Sequence, residues 1–417
     1  MKMRLTSEEQ KMLDGKYGGA VHWAMDFLVK MGDYFGATDM VDVKYVNILE
    51  IMGTSEGAYL ELIDYLASQG GKFRVTATTD PAGFDFTNTE GMGIEPDTYE
   101  KQAKLSNGLI KMGVLPTRTC TMYWAGVMPR LGDHLAISES NAVVMFNSVA
   151  GARTNYESFP SSLAAALTGK TPNFGFHLDE NRRGNVLIEL KTPMEHWTDW
   201  DALGFYVGKE LKIYEAVPVF INMPSQVTTY ELKRLGATLA TGPGTIAMYH
   251  AVGITPEAAS LEQAFAGNKP QDKLHITRKQ LDEVYDMFSG EGKIDLVHFG
   301  CPHLHLAEIQ LLAEKFSGKK KHPEVRVWLF IAPATKAMAD LAGYTKILED
   351  AGGEFFTGAC SINIPAKEAK QLLGNKVQVT DNVKHCYYAP TFMGDIGLKT
   401  ILRPTEQCIQ AALTGRV

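Results

Sequence analysis

Asp295–Leu306 reads D-L-V-H-F-G-C-P-H-L-H-L and gathers one thiol and three imidazoles: His298, Cys301, His303 and His305. The apolar residues Ile294, Leu296, Val297 and Phe299 predict a buried strand that breaks at Gly300. Leu306, Ile309, Leu311, Leu312 and Phe316 then fall on helical spacing. A thiol and imidazoles between a strand and the following helix stand where α/β sheets usually bind ligands.

Two further cysteines sit in comparable places. Cys120, in T-C-T-M-Y, follows an expected strand over Gly113–Thr119, and Cys360, in T-G-A-C-S, follows one at Glu354–Thr357. Three such thiolates can hold an iron–sulfur cluster and leave one iron open to a substrate oxygen. A rival reading is zinc on His298, Cys301, His303 and His305, although that spacing matches no common structural zinc motif. A third is a nucleophilic Cys301 with His303 as its base, which requires an orienting group that the sequence does not identify. The plainest reading treats the thiols as small buried hydrophobes. Cys386, after a strand at 376–380, is a fourth candidate, and Cys408 falls inside the last helix as core filler. Spacing alone leaves these alternatives open.

The stretch from 137 to 155 is apolar at its centre yet carries Glu139, Ser140, Asn141, Asn147, Ser148, Arg153 and Asn155. Buried polar groups need partners, so this segment either runs a core hydrogen-bond network or lines a polar cavity. Arg153 and Arg182–Arg183 are able to clamp a carboxylate bidentately. Thr241-Gly-Pro-Gly-Thr follows a helix rather than a strand and lacks the Gly-Lys pair of a P-loop, so it reads as a turn.

The elements that must position these residues alternate. Thr6 and Glu9 form a capping box for the first helix. Strands near Val46–Met52, Lys72–Thr78 and Gly113–Thr119 are separated by helices near Gly57–Ser68 and Asp97–Lys111, which implies parallel pairing through helical crossovers. Pro218 places the strand Ala216–Met223 at an edge or starts it late, and 257–292 reads as a helical, charged surface connection. The last third alternates most clearly, from Lys293–Gly300 to the helix Arg403–Gly415. The expected architecture is α/β, with parallel or mixed sheets and flanking helices in several lobes around a central cleft. Its divisions are placed at 1–140, 141–285 and 286–417.

The 417 residues are 45% hydrophobic and 21% charged, as in an ordinary globular protein. A net charge of −7, spread along the chain, argues against nucleic acid as the main partner. No apolar run is long enough to span a membrane. Five cysteines without paired spacing suit a reducing compartment, and the expected location is cytoplasmic.

Taken together, the motifs resemble the aconitase X family, in particular its large catalytic subunit. The resemblance rests on L-T-S-E-E-Q-K-M-L-D-G-K-Y-G near the start, T-D-P-A-G-F-D at Thr79–Asp85, T-C-T-M-Y, and G-D-H-L-A-I-S-E-S-N-A-V. It continues through N-S-V-A-G-A-R-T-N, G-F-H-L-D-E-N-R, I-T-P-E-A, G-C-P-H, T-G-A-C and K-H-C-Y-Y-A-P, in one order along nearly the whole chain. The resemblance implies a hydro-lyase that removes water from a small hydroxy acid, with an iron–sulfur cluster as Lewis acid. The implied ligands are Cys120, Cys301 and Cys360, and the cluster is 4Fe-4S in the first instance, with 3Fe-4S and 2Fe-2S as alternatives. Ser140, His303 and Lys384 are expected as catalytic residues, and Glu139, Asn141, Ser148 and Arg153 as substrate-binding ones. The family also has a small swivelling domain, fused or separate, that supplies a serine base; nothing here resembles it, so a small partner subunit is expected.

Two substrates known for the family are cis-3-hydroxy-L-proline and mevalonate 5-phosphate, and composition favours the first. Departures from the family pattern bear on the substrate. Cys120 is followed by Thr-Met-Tyr-Trp rather than Thr-Pro-Tyr-Leu, and Leu304-His305 stand where Ser-Leu is usual. Ile51–Gly57 lacks the lysine-bearing sequence of the phosphomevalonate branch. The alternative functions are a catalytically inactive metal- or cluster-binding regulator, and a zinc- or cysteine-dependent enzyme using Cys301 and His303.

Overall fold

The computed structural model describes residues 3–50, 56–211, 215–242 and 245–417. Most of the atypical segment at 51–57, the end of the strand expected to reach Met52, and Pro243–Gly244 of the turn after Thr241 lie outside these residues. The alternation of apolar runs with amphipathic segments produces three parallel sheets flanked by helices, as the sequence pattern requires. Among the described residues no helix is long and apolar enough to cross a membrane.

The first sheet has Tyr45–Ile48 at its centre, with Thr76–Thr79 and Leu135–Ile137 on either side, both parallel to it. The strand expected over Gly113–Thr119 contracts to a bridge between Leu115 and Thr78. Beyond it Arg118 adopts φ +44°, and the chain turns into the loop that carries Cys120. The expected capping box at Thr6 and Glu9 is present. A short antiparallel pair, Met40–Asp42 with Lys170–Pro172, lies beside this sheet.

The middle sheet runs in the order His250–Ala251, Pro218–Ile221, Val186–Leu190, Asp272–Ile276. Pro218 begins its strand, so the late start holds, although the strand lies inside the sheet. Asp272–Ile276 corrects the helical reading of 257–292: it is an edge strand, largely exposed, so its charges face water and mask the strand pattern.

The C-terminal sheet, ordered Gly353–Thr357, Arg326–Ile331, Leu296–Leu304, Val377–Thr380, Lys399–Leu402, is parallel throughout. Every residue of its central strand is buried, as expected of a strand covered on both faces. That strand does not stop at Gly300. It passes through an irregularity between Phe299 and Leu304, with Gly300 at φ +104° and a cis bond between Cys301 and Pro302. The positive φ explains why glycine stands there, and a Cβ at this position would lie 2.3 Å from the Phe330 carbonyl oxygen.

A buried charge cluster joins the middle helices Trp197–Leu211 and Thr229–Leu239 to the C-terminal sheet. Arg234 donates to Asp201 at 2.7 Å, to Asp381 at 2.8 Å and to Glu308 at 3.1 Å. Lys233 Nζ reaches Glu308 at 2.6 Å and the His303 carbonyl at 3.4 Å. Burial works against ionised Glu308, but the Lys233 and Arg234 cations prevail and hold its pKa at about 2. Charges this deep are tolerated only when paired, and removing one partner of such a group typically costs about 3–5 kcal/mol.

Two outcomes follow for stability. Gly300→Ala must relieve both the left-handed backbone and the clash with Phe330. It is expected to lower unfolding free energy by roughly 2 kcal/mol or more in urea titration, and an unchanged midpoint would contradict this account. Glu157 is buried, and that burial raises its pKa to about 7 in the fold. The native state therefore holds a proton that the unfolded chain releases near the ordinary carboxylate value. The stability tied to this proton is fully present below that value and is lost as pH rises through 7. Glu157→Gln should gain on the parent protein by about 2–3 kcal/mol between pH 5 and pH 8, read from thermal or urea unfolding at each pH.

Candidate functional site

Between the N-terminal and C-terminal sheets lies a cavity of about 730 Å³, and Cys120, Cys301 and Cys360 all line it. Each thiol arrives on a different segment, two of them loops and one a strand. The Cys120 loop is anchored by the Thr119 amide on the Thr79 carbonyl at 3.3 Å and by Asn141 Nδ2 on the Cys120 carbonyl at 2.9 Å. Cys301 sits in the kinked central strand, where Asn382 Oδ1 accepts from the amides of Gly300 at 3.2 Å and Cys301 at 3.1 Å. Cys360 is fixed by its own amide, which donates to the Ala82 carbonyl at 2.7 Å.

His303 connects all three segments. Its Nε2 lies 2.8 Å from the Ala359 carbonyl, beside Cys360, so Nε2 carries the proton. Nδ1 therefore accepts from the Thr119 hydroxyl at 3.2 Å, beside Cys120. The His303 backbone amide donates to Cys120 Sγ at 3.2 Å. Burial lowers the His303 pKa to about 4, which keeps this neutral tautomer at ordinary pH. With both ring nitrogens committed, His303 is not poised as a base for Cys301.

The zinc set disperses for the same kind of reason. His298 stacks on His385 at a ring distance of 3.6 Å and meets Thr380 Oγ1 through Nδ1 at 3.2 Å. His305 caps the helix Leu306–Phe316 through Nδ1, half-buried between Trp124 and Tyr230. Among the described residues, no three His, Cys, Asp or Glu side chains close on one ion-sized point.

What remains in the cavity is a thiol cluster beside one buried ion pair. Lys384 Nζ donates to Glu139 Oε1 at 3.2 Å and Ser140 Oγ at 3.1 Å, and all three line the cavity. Burial alone would discharge Lys384, but the Glu139 carboxylate raises its pKa, so it stays cationic. Burial pushes the Cys301 thiol up to about 12, with Cys120 and Cys360 also raised. Thiols so buried stay protonated unless a metal takes the proton's place. The donor set suits a group larger than a single ion: three sulfurs lining one cavity, two of them receiving N–H donors from His303 and, at 3.3 Å, from Asn363 Nδ2. The residues present thus fit an iron–sulfur cluster.

The structure places three other expected residues elsewhere. Asn141 is fully buried behind the Cys120 loop, donating also to Tyr123 at 2.8 Å. The Ser148 hydroxyl accepts from the Tyr249 amide at 2.9 Å inside the core. Arg153 pairs with Asp179 and donates to the His177 carbonyl at 3.0 Å. None of the three lines the cavity. The polar stretch from 137 to 155 therefore does both things considered for it: Glu139 and Ser140 face the cavity, and Asn147 and Arg182 run a core network, with Arg182 donating to Asn147 Oδ1 at 3.2 Å. Cys386 and Cys408 are buried in core clusters away from the lining.

Sequence reasoning missed Asn382, the Lys233–Glu308 pair and Asp80. Asp80 is fully buried, and burial together with the Glu139 carboxylate pushes it well above the usual range. The one available signal was the T-D-P-A-G-F-D motif, an acid within a small-residue turn that follows a strand.

Comparison with known proteins agrees with this picture. Family models for the aconitase X first, second and third domains match residues 2–180, 184–286 and 294–414. A phosphomevalonate dehydratase large subunit from Methanocaldococcus jannaschii is 37% identical over 398 residues, covering 94% of this chain and 96% of that protein. A cis-3-hydroxy-L-proline dehydratase from Pseudomonas aeruginosa is 31% identical, covering 99% of this chain and 70% of that protein. The crystal structure of Thermococcus kodakaraensis aconitase X in its holo-form superposes with a TM-score of 0.88 at 34% identity, covering 98% of this chain and all of that one. The fold and these relatives define an α/β lyase of the dehydratase type. The chain belongs to the aconitase X family.

The His303 bridge can be tested by unfolding. His303→Ala strands a carbonyl and a hydroxyl in the interior and should cost at least ~2 kcal/mol. His303→Gln, whose amide nitrogen can reach the Nε2 position, should recover part of that loss. Equal losses in both variants would count against the bridging role.

Proposed function

We propose that this chain is the large, catalytic subunit of a two-part dehydratase that removes water from a small hydroxy acid. The observation that carries the reading is the convergence of Cys120, Cys301 and Cys360, from three distant segments, on one cavity that also holds a buried lysine. These thiols would hold an iron–sulfur cluster, 4Fe-4S in the first instance, and when bound it supplies a Lewis acid for the departing hydroxyl. The chain's own residues would do the rest. Lys384, held by Glu139 and Ser140, presents a fixed positive charge to a carboxylate entering the cavity. His303 positions the thiol loops and does not move a proton.

A small subunit would complete the site, because the chain covers nearly the full length of relatives named as large subunits. Identity to phosphomevalonate dehydratase large subunits reaches 37% and 36%, with one at 26%, against 31% and 30% for two hydroxyproline dehydratases, and phosphomevalonate is the first substrate to test. That reverses the preference drawn from composition.

The test is anaerobic purification with the small subunit, followed by iron analysis, visible and EPR spectroscopy, and assay of water loss from phosphomevalonate and cis-3-hydroxy-L-proline. Alanine at Cys120, Cys301 or Cys360 should each abolish stable iron binding and activity, while Cys386→Ala and Cys408→Ala keep the iron. Full iron content in Cys301→Ala would sink the ligand assignment.

A further inference from the structure

Beside Cys360, the side chain of Ser361 lines the cavity and is only 4% exposed. Its Oγ lies 3.2 Å from Nδ1 of His385, a fully enclosed residue next to Lys384 on the helix Val383–Phe392. On the far side of that ring, Nε2 is 3.0 Å from Gln378 Nε2, and the same amide nitrogen donates to Thr400 Oγ1 at 2.8 Å. An amide nitrogen only donates, so His385 Nε2 must accept and carries no proton. A neutral imidazole with a bare Nε2 has its one proton on Nδ1, and that proton points at Ser361 Oγ.

His385 has little chance to become charged. It is stacked on His298 at 3.6 Å, and burial holds its pKa down to about 3. Ser361 therefore receives a hydrogen bond from behind, and its own hydroxyl hydrogen is left over. Among the described residues that hydrogen has no acceptor, and the open direction is the cavity, whose lining also includes the Lys384 ammonium.

We infer that Ser361 is a substrate-binding residue that donates its hydroxyl hydrogen to the carboxylate of the bound hydroxy acid, with His385, fixed by Gln378, as its positioning residue. This rests on the dehydratase reading above for the nature of the ligand, and on the relay Thr400–Gln378–His385–Ser361 for the direction of the donor. Together with Lys384 it gives the carboxylate two points of attachment, one ionic and one directional. The two-point hold orients the acid, which a lone ammonium cannot do.

The experiment uses the iron-loaded two-subunit enzyme. Calorimetric binding of phosphomevalonate and of cis-3-hydroxy-L-proline is measured alongside turnover. Ser361→Ala should weaken binding and raise KM about tenfold or more while kcat stays within a few-fold, with iron content and visible spectrum unchanged. Ser361→Thr, which keeps the hydroxyl, should stay near the parent enzyme. His385→Asn, which leaves a donor near the Nδ1 position, should raise KM less than His385→Leu. Nitrogen-15 spectra of labelled histidines should show His385 protonated at Nδ1. The inference is overturned by an unmoved KM in Ser361→Ala, by loss of iron in that variant, or by a proton on His385 Nε2. Turnover with an unmoved KM leaves the dehydratase reading intact and removes this one. Binding that weakens in Ser361→Ala without turnover does the reverse. Neither binding nor turnover in the parent enzyme removes both.

Discussion

Residues 119–120 and 359–360 belong to two loops and 301–303 to the kinked end of the central strand, with no sequence proximity among them, and one neutral imidazole holds the three segments together. His303 spends both ring nitrogens and its backbone amide on this task, so the positions of Cys120 and Cys360 are referred to the strand that carries Cys301. With its one proton on Nε2 the imidazole is neutral, and Nδ1 accepts from the Thr119 hydroxyl. Deep burial favours that neutral state by lowering the pKa to about 4. The rest of the site is arranged around a strand that cannot shift: Asn382 grips the amides of Gly300 and Cys301, and Lys233 touches the His303 carbonyl from the middle region.

The buried ion cluster gives that rigidity its long reach. Arg234 and Lys233 come from a helix that contributes nothing to the cavity lining, yet their carboxylate partners Glu308 and Asp381 belong to the C-terminal sheet region. Asp201, with its pKa raised by burial to about 7, completes the group on the middle side. In a dry interior these pairings are directional, and a wrong docking of the middle region would bury uncompensated charge. The cluster thus specifies one relative placement of the regions it joins.

Much of this was legible in the sequence. Strand–helix alternation gave the parallel sheets at the two ends of the chain but only one strand of the middle sheet, and the position of Cys120, Cys301 and Cys360 near strand ends pointed to a shared address. The illegible parts have physical causes. Gly300 reads as a strand terminator, but here its positive φ bends a strand that continues to Leu304. Asn141, Ser148 and Arg153 are polar residues near the right motifs; whether such a side chain faces a cavity or ties a loop from behind depends on helix phase for the first two and, for Arg153, on the bridge it forms with His134, neither of which spacing fixes. Asp272–Ile276 was hidden because an edge strand can expose its charges. Lys233 and Arg234 are adjacent basic residues on a helix; only tertiary structure tells that both are enclosed.

The cavity lining divides between residues 49–140 and 300–392, with none of the described residues in between contributing. During synthesis the first thiol leaves the ribosome long before the last, and the partners that shape its loop, His303 above all, emerge only in the final third. A half-made chain therefore displays Cys120 as an isolated thiol with no site around it. Any group held by all three sulfurs could be loaded only after Cys360 has been made, so its delivery would be a late event in the biogenesis of this protein.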